Sequence, residues 1–425
     1  MKSYLSLSNE ELTELISEKR KKYSEYKSQN LSLDMSRGKP CKEQLDLCLD
    51  MLNGSSSYKS PSGVDCRNYG GVEGLKEARE LFGALIGAPW EQVIVSGNSS
   101  LNVMYDTVAR AMSFGVNDKD LPWSKQGKIK FLCPSPGYDR HFAITELFGI
   151  EMIIVDMKSD GPDMDKIEEL VSADSSIKGI WCIPQYSNPD GIIYSDEVVD
   201  RFARLKPKAS DFRIFWDNAY AVHHLTDKKV PVKNILTACQ NAGNPDMVYV
   251  FTSTSKISFA GAGISVMASS VDNMKRTIKQ MSIQTIGPDK INQLKHVEYF
   301  KTVEGINAHM EKHAKILAPK FKLVLETLQR ELSGKEIAWW NEPNGGYFVS
   351  LNTMDNCAKE VVKMAKEAGV VLTNAGATFP YGKDPLDRNI RIAPSFPPLD
   401  ELKQAIDLLC LCVEIVSCEK ILASR

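Results

Sequence analysis

The chain lacks the features that would suit a membrane, a nucleic acid or an oxidising compartment. It has no run of about eighteen apolar residues, the length that a membrane-spanning helix needs. Its 52 basic and 54 acidic side chains nearly balance, so it offers no strong field to nucleic acid, and a small-molecule partner is expected instead. Its ten cysteines are scattered without a Cys-x-x-Cys pair, which is typical of reduced thiols and predicts a cytoplasmic protein.

Motifs for nucleotides and zinc are missing as well. No G-x-x-x-x-G-K-S/T occurs, and "GAG" at 261–263 does not complete G-x-G-x-x-G. The adjacent His223 and His224 lack the i, i+4 spacing of a helical zinc site, which favours packing roles and no metal site. The first thirty residues carry no apolar core between their charges. They predict an amphipathic helix with Ser8 and Glu11 in a capping box, not a signal peptide.

Short apolar segments dominate the first 260 residues, and each is followed by small or polar residues. There are six of them: "VIV", "IKFL", "MIIV", "GIWCI", "RIFW" and "VYVF". Such segments are typical of strands buried on both faces, and the helical stretches between them predict an α/β fold with a mostly parallel sheet flanked by helices. After about residue 285, long helical patterns with few strands predict a smaller α+β domain.

These patterns also predict domain limits and the place of a site. We expect a large domain over 51–290, a small domain over 291–425, and an N-terminal helix and arm over 1–50 that joins the small domain. In open α/β sheets, ligands bind beyond the carboxyl ends of the strands. Five of the predicted strand ends carry polar candidates: 96–100, Tyr138, Asn188, Asp217 and 253–256.

Several short motifs follow one another in an order that is similar to a known family. They are "SNPDG" at 187–191, "DNAY" at 217–220, "STSK" at 253–256, "GGYFVSL" at 345–351 and "RIAPSF" at 391–396. Together they resemble the fold type I pyridoxal phosphate enzymes and, within them, the class I aminotransferases. "LDMSRGKP" at 33–40 and "CPSPGYDRHF" at 133–142 resemble the aspartate aminotransferase subgroup Ic more narrowly. The resemblance implies pyridoxal 5'-phosphate as cofactor.

The resemblance assigns catalytic roles to three residues. Lys256 matches the lysine that bonds covalently to the cofactor aldehyde and then moves a proton at the substrate α-carbon. Asp217 matches the carboxylate that keeps the pyridine nitrogen protonated, although an aspartate after a strand is also a common helix cap. Tyr220 matches the tyrosine whose hydroxyl contacts the ring oxygen.

Further residues are matched to the cofactor. Asn98 and Ser99, at a helix start, would hold the phosphate on backbone amides, with Ser253 adding a hydroxyl. Asn188 would donate to the ring oxygen, although an Asn-Pro pair is also a frequent turn. Two tyrosines complete the set: Tyr138 would stack on the ring, unless it is partial core, and Tyr69 would reach the phosphate of a second subunit, which implies a homodimer with shared sites.

Substrate contacts are expected from arginines. Arg391 matches the arginine whose planar fork binds the substrate α-carboxylate, and Gly38 and Arg37 lie in the motif that lines the substrate side. One departure from the family is Gly263, where many class I members carry a phosphate-binding arginine. Arg37 and Arg140 are the candidates to replace it, or to bind a second substrate carboxylate, and the sequence leaves these roles open.

The function that the resemblance implies is transamination between L-aspartate and 2-oxoglutarate. Two alternatives use the same motifs: another pyridoxal phosphate reaction, such as aromatic or kynurenine transamination or carbon-sulfur lysis, and a non-enzymatic regulator that carries this fold. The regulator is disfavoured because only about thirty residues precede "LDMSRGKP" and the chain is not basic.

Overall fold

The computed structural model describes residues 2–54 and 57–425. Within these residues the chain forms thirteen α-helices and thirteen β-strands. The strands are β1 (Leu33–Asp34), β2 (Val93–Ser96), β3 (Lys130–Ser135), β4 (Glu151–Lys158), β5 (Gly161–Pro162), β6 (Ile177–Cys182), β7 (Arg213–Asp217), β8 (Val248–Ser253), β9 (Ser265–Ala268), β10 (Ala338–Trp340), β11 (Val349–Thr353), β12 (Val370–Val371) and β13 (Asn389–Ile392). The helices are α1 (Asn9–Ser28), α2 (Lys42–Asp46), α3 (Lys76–Ile86), α4 (Ser100–Phe114), α5 (Asp139–Leu147), α6 (Met164–Ala173), α7 (Asp196–Ala203), α8 (Ile235–Asn241), α9 (Val271–Gln284), α10 (Lys290–Phe300), α11 (Val303–Leu332), α12 (Ala358–Glu367) and α13 (Leu399–Ala423).

Eight strands form the main sheet, in the order β2-β9-β8-β7-β6-β3-β4-β5. Strands β8, β7, β6, β3 and β4 pair in parallel, whereas β9 is antiparallel to both of its neighbours and β5 is antiparallel to β4. Both faces are buried: in β7, Ile214 and Trp216 pack into one hydrophobic core and Phe215 into the other. The predicted α/β class with a mostly parallel sheet is therefore confirmed.

The smaller part of the fold combines two short sheets with long helices. Strands β10, β11 and β13 form an antiparallel sheet, and β1 pairs in parallel with β12, which ties the N-terminal segment to the C-terminal part of the chain. A separate core contains Leu12 of α1, Phe321 of α11 and much of α13. The predicted smaller α+β unit is confirmed in its class.

The chain passes from one core to the other within α11. Ile306 and Met310 pack with the main sheet, whereas Phe321 and Val324, further along the same helix, pack with the smaller core. The boundary between the large and the small domain at residue 290 stays a prediction. The packing of α11 against both cores favours a domain boundary inside this helix instead.

A buried carboxylate joins α1 to the C-terminal helix. Glu414 of α13 has 2% of its side chain exposed and accepts hydrogen bonds from Tyr4 Oη at 2.7 Å and Lys19 Nζ at 2.6 Å. The side chain of Lys335, 8% exposed, makes a third contact with the same carboxylate. Two lysines and a phenol from three segments thus depend on one acceptor.

We expect Glu414→Gln to lower the free energy of unfolding by about 2 to 3 kcal/mol, because it leaves the buried Lys335 and the partly buried Lys19 without their counter-charge. Urea denaturation measures the change. Glu419→Gln is the matched control, since Glu419 also links α13 to α1, through Arg20, but both side chains are more than a third exposed. We expect the control to cost less than about 1 kcal/mol, and equal losses in the two variants would contradict the account.

The cysteines and the apolar character of the helices can now be compared with the expectations from the sequence. All ten cysteines lie in the described part of the chain, where each is buried and none forms a disulfide. None of the helices formed by residues 2–54 and 57–425 combines the length and the apolar character needed to cross a membrane.

Candidate active site

A cavity of about 540 Å³ opens where the parallel strands of the main sheet end and the smaller part of the fold covers them. Residues from the N-terminal and the C-terminal parts of the chain line it. The residues singled out from the sequence that line it are Arg37, Gly38, Ser99, Tyr138, Arg140, Asn188, Asp217, Tyr220, Ser253, Ser255, Lys256 and Arg391.

Lys256 lies in the turn that follows β8 and points its amine between two aromatic rings. Its Nζ is 5.3 Å from the ring centre of Tyr220 and 5.7 Å from that of Tyr347. Burial of the ammonium lowers the pKa of Lys256, an effect that Asp217 opposes and Arg391 reinforces. A larger share of the lysine is therefore the neutral amine, the form that acts as nucleophile or base.

The turn that carries Lys256 is held by polar contacts with α10. His296 Nε2 of α10 lies 3.2 Å from Thr254 Oγ1 and 2.8 Å from Ser258 Oγ. Within the turn, the backbone N–H of Ile264 donates to Thr254 Oγ1 at 2.9 Å. Gly263 is packed inside this turn: a Cβ there would lie 3.0 Å from both Phe259 O and Thr254 Oγ1. A side chain here would press on both atoms, which favours glycine at the position where the family resemblance implies an arginine.

Asp217 ends β7 and is oriented by a histidine that the sequence did not single out. His141 Nε2 lies 3.0 Å from Asp217 Oδ2, and the His141 ring stacks on Trp181 with centres 4.4 Å apart. Asp217 Oδ1 is buried and has no hydrogen-bond partner among the described residues. This unpaired acceptor in the cavity wall suits a cationic N–H group of a ligand. The signal that could have revealed His141 is its place one helical turn after Tyr138.

Hydroxyl groups gather at one end of the cavity, where β2 and β8 end. Ser253 Oγ donates to Ser255 Oγ at 3.1 Å, and Ser255 Oγ donates to the backbone carbonyl of Asn98 at 2.9 Å. Ser99 precedes the first residue of α4, makes no capping hydrogen bond with its side chain and lines the cavity. Asn98 lines an adjoining cleft of about 300 Å³ together with Gly263 and Lys295. The structure therefore brings Ser99 and Ser253 together in the main cavity and places Asn98 beside it.

Arg391 in β13 forms the opposite end of the cavity. Its Nη1 donates to Asp139 Oδ1 at 3.1 Å and to Asn188 Oδ1 at 3.2 Å, and its Nη2 donates to Thr373 Oγ1 at 3.1 Å. The guanidinium also lies over the ring of Phe348 at 4.8 Å. Because Asn188 uses its oxygen on Arg391, its amide N–H groups stay available to a ligand.

The remaining substrate candidates differ in how they meet the cavity. Gly38 packs against Phe348, where a Cβ would come within 2.7 Å of the ring, so glycine lets that ring lie against Arg391. Arg37 and Arg140 are both exposed at the rim. Tyr69 does not line the cavity of its own chain, and 82% of it is exposed.

The two adjacent histidines pack beside the site. His223 Nε2 lies 3.3 Å from the backbone carbonyl of Lys256, and burial lowers the pKa of His223 to about 3. His224 Nδ1 lies 2.6 Å from Tyr186 Oη. His223 therefore supports the lysine turn as a neutral ring.

Asp190, two residues after Asn188, is a buried carboxyl behind the site. It is 7% exposed, and burial raises its pKa from 3.8 to about 6, partly offset by a hydrogen bond with Ser350. The folded state thus binds this proton more tightly than the unfolded state, so stability is lost as the pH rises from about 4 to about 6 and stays lower above that range.

We expect Asp190→Asn to raise the free energy of unfolding at pH 8 by about 1 to 3 kcal/mol, since the amide removes a buried charge and can still bond Ser350. At pH 4 the two proteins should differ little, because Asp190 is then protonated. Urea denaturation at both pH values checks this, and equal stabilisation at pH 4 and pH 8 would contradict the assignment.

The fold, with a lysine and a buried aspartate at neighbouring strand ends, is that of the fold type I aminotransferases. A family model described as aspartate amino-transferase matches residues 7–425, and the chain belongs to that family. An aspartate aminotransferase from Corynebacterium glutamicum is 47% identical over 402 residues, which cover 94% of this chain and 93% of that protein. The crystal structure of an aspartate transaminase from the same organism superposes with a TM-score of 0.96 at 45% identity, covering 99% of each chain.

A more distant relative shares only the fold. LysN, an α-aminoadipate aminotransferase from Thermus thermophilus, superposes with a TM-score of 0.73 at 18% identity, over 93% of this chain and 94% of that chain. The resemblance found in the sequence is confirmed, and the protein is an enzyme, so the regulator alternative is set aside.

Proposed function

We propose that the protein is a pyridoxal-phosphate-dependent aminotransferase that converts L-aspartate and 2-oxoglutarate to oxaloacetate and L-glutamate. The observation that carries this proposal is the charge of the cavity. Besides Lys256, four basic side chains line it, Arg37, Lys39, Arg140 and Arg391, against two acids, Asp139 and Asp217. Such an excess favours a phosphorylated cofactor together with a substrate that bears two carboxylates.

The residues present fit pyridoxal phosphate. The unpaired Asp217 Oδ1 suits a protonated pyridine nitrogen, and the hydroxyls of Ser253 and Ser255 with the amino end of α4 suit a phosphate. LysN was crystallised with N-(5'-phosphopyridoxyl)-L-leucine, which supports the same cofactor class on this fold. When bound, pyridoxal phosphate would supply an aldehyde carbon that takes up the amino group and a ring that withdraws electrons from the substrate α-carbon.

Lys256 and the groups around it would carry out the proton transfers. In the neutral form that its lowered pKa favours, the Lys256 amine would remove the proton from the substrate α-carbon, and in the reverse half-reaction the protonated amine would donate a proton to that carbon. The Asp217 carboxylate, held by His141, would accept a hydrogen bond from the ring nitrogen on its unpaired Oδ1. The hydroxyl of Tyr220, whose pKa is raised by burial, stays protonated and can donate to the ring oxygen.

The two substrate carboxylates would be bound at separate places. Arg391, buried and fork-shaped, takes the α-carboxylate beside Gly38 and Asn188. The side-chain carboxylate goes to the rim, where Arg37 and Arg140 are the available cations. This arrangement orients the α-carbon towards Lys256.

The experiment that tests the proposed substrate compares kcat/KM for aspartate, kynurenine and cystathionine with 2-oxoglutarate as acceptor. We expect aspartate to exceed the other two by about 10²- to 10⁴-fold, because kynurenine has no side-chain carboxylate and the second carboxylate of cystathionine lies several bonds further from the α-carbon than that of aspartate. Alanine, which has no side-chain carboxylate, serves as a second donor to distinguish the two rim arginines. When the arginine that binds the side-chain carboxylate is replaced by glutamine, turnover of aspartate should be lost and turnover of alanine retained. A preference for kynurenine or cystathionine would overturn the assignment.

We further propose a cytoplasmic homodimer in which Tyr69 completes the phosphate site of the partner subunit. Its exposure, together with its absence from its own cavity, supports this. We expect Tyr69→Ala to weaken cofactor retention about tenfold, the worth of one hydrogen bond to a charged group. Equilibrium dialysis of the cofactor measures this. Mixing Tyr69→Ala with Lys256→Ala chains should restore tight binding in the mixed dimers, and failure to restore it would place Tyr69 outside the partner's site.

A further inference from the structure

The arginine proposed to bind substrate is already bound to a carboxylate of its own chain. Arg391 Nη1 is shared between Asp139 Oδ1 at 3.1 Å and Asn188 Oδ1 at 3.2 Å. Asp139 lines the same cavity as Arg391 and forms an ion pair with it, whereas the Asn188 amide is a neutral partner. An incoming carboxylate would therefore meet a guanidinium edge that holds an anion.

The two partners of this ion pair differ in their freedom to move. The side chain of Arg391 is 7% exposed and is fixed by Thr373 and by the ring of Phe348. The side chain of Asp139 is 33% exposed. A ligand carboxylate can thus take the place of Asp139 without disturbing Arg391. A movement of Arg391 away from Asp139 would instead break its contacts with Thr373 and Phe348.

We propose that Asp139 is an internal ligand of Arg391 that a substrate carboxylate replaces on binding and that returns when product leaves. This rests on the proposed function, in which Arg391 binds the α-carboxylate. Asp139 is the first residue of α5, where a negative charge is favoured by the helix dipole, so the displaced carboxylate keeps a favourable environment. Asp139 is a positioning residue, since it acts through Arg391.

The consequence is a measurable loss of apparent affinity. A ligand that must compete with an internal group binds with its intrinsic affinity multiplied by the fraction of protein that is free to accept it. For an ion pair with one partially exposed member we take that fraction as about one tenth to one third. Removing the Asp139 charge should therefore tighten carboxylate binding about three- to tenfold.

The test uses the cofactor-loaded protein and Asp139→Asn, which keeps the size of the side chain. Calorimetric titration with succinate and with propionate should give Kd values about three- to tenfold lower in the variant. Steady-state kinetics should show KM for aspartate lowered by the same factor while kcat is unchanged or reduced. Thr373→Val is the matched control, because it removes a neutral partner of Arg391 and should not tighten binding.

The outcomes separate this inference from the proposed function. Unchanged or weaker binding of both probes in a folded Asp139→Asn protein, judged by an unaltered Tm, overturns the inference, because Asp139 then orients Arg391 instead of competing for it. Asp139→Ser provides a second folded variant with the same expectation. Absence of aspartate turnover in the wild type overturns the proposed function, yet tighter propionate binding in Asp139→Asn would still support competition at Arg391.

Discussion

Replacing Lys256 with alanine is expected to lower kcat for transamination by about 10⁴-fold, the upper range for losing a positioned acid-base group. The variant should also fail to bond covalently to pyridoxal phosphate. The physical reason is that Lys256 supplies the amine in the cavity whose pKa is lowered by burial and which stands between Tyr220 and Tyr347. Borohydride reduction followed by peptide mass spectrometry measures the bond, and single-turnover kinetics measures the rate.

Lys256→Arg is the control for this prediction. Arginine keeps a positive charge at the same position but stays protonated, so it is neither a nucleophile nor a base at neutral pH. We expect Lys256→Arg to be as impaired as Lys256→Ala. Substantial activity in the arginine variant would mean that the charge alone is needed, which would contradict a chemical role for the amine.

Arg391→Ala is expected to lower kcat/KM for aspartate by about two to four decades. Breaking a buried charge pair costs about 3 to 5 kcal/mol, and each tenfold in rate corresponds to about 1.36 kcal/mol. Arg391 is buried against Phe348, so water replaces the lost contact poorly. Steady-state kinetics with aspartate, together with a Tm to verify folding, checks the expectation.

Arg391→Lys tests whether the planar fork matters as well as the charge. A lysine ammonium is a point charge that cannot bind a carboxylate through two parallel hydrogen bonds. We expect an intermediate loss, larger in kcat/KM than in kcat. An unchanged kcat/KM in Arg391→Ala would remove this residue from the substrate site.

Much of the fold was accessible from local sequence patterns, because the patterns reflect local physics. The apolar segment "RIFW" became β7 with alternate residues buried in two cores, as a strand covered on both faces requires. Ser8 and Glu11 form the predicted capping box, with hydrogen bonds of 3.1 Å and 2.6 Å between each side chain and the backbone N–H of the other. Each of these depends on residues close together in the chain.

The details of the site depend on contacts that no local pattern records. His141 and Asp217 are 76 residues apart, and Asp139 and Arg391 are 252 apart, so both pairings arise from the packing of separate elements. Gly263 packs against Phe259 O and Thr254 Oγ1 of its own turn, a backbone arrangement that the motif match does not record. Motif matching placed Asn98 at the phosphate, which stays a prediction; Asn98 lines the cleft that adjoins the main cavity, together with Lys295.

The most direct test of aspartate transamination by this protein is its absorption spectrum with bound pyridoxal phosphate, recorded alone, after aspartate, and after 2-oxoglutarate. We expect a visible band that is lost on adding aspartate, as the cofactor takes up the amino group, and that returns on adding 2-oxoglutarate. Oxaloacetate should appear in the first step in an amount equal to the cofactor. A band that does not respond to aspartate, or the lack of any band in cofactor-supplemented wild-type protein, would contradict the account.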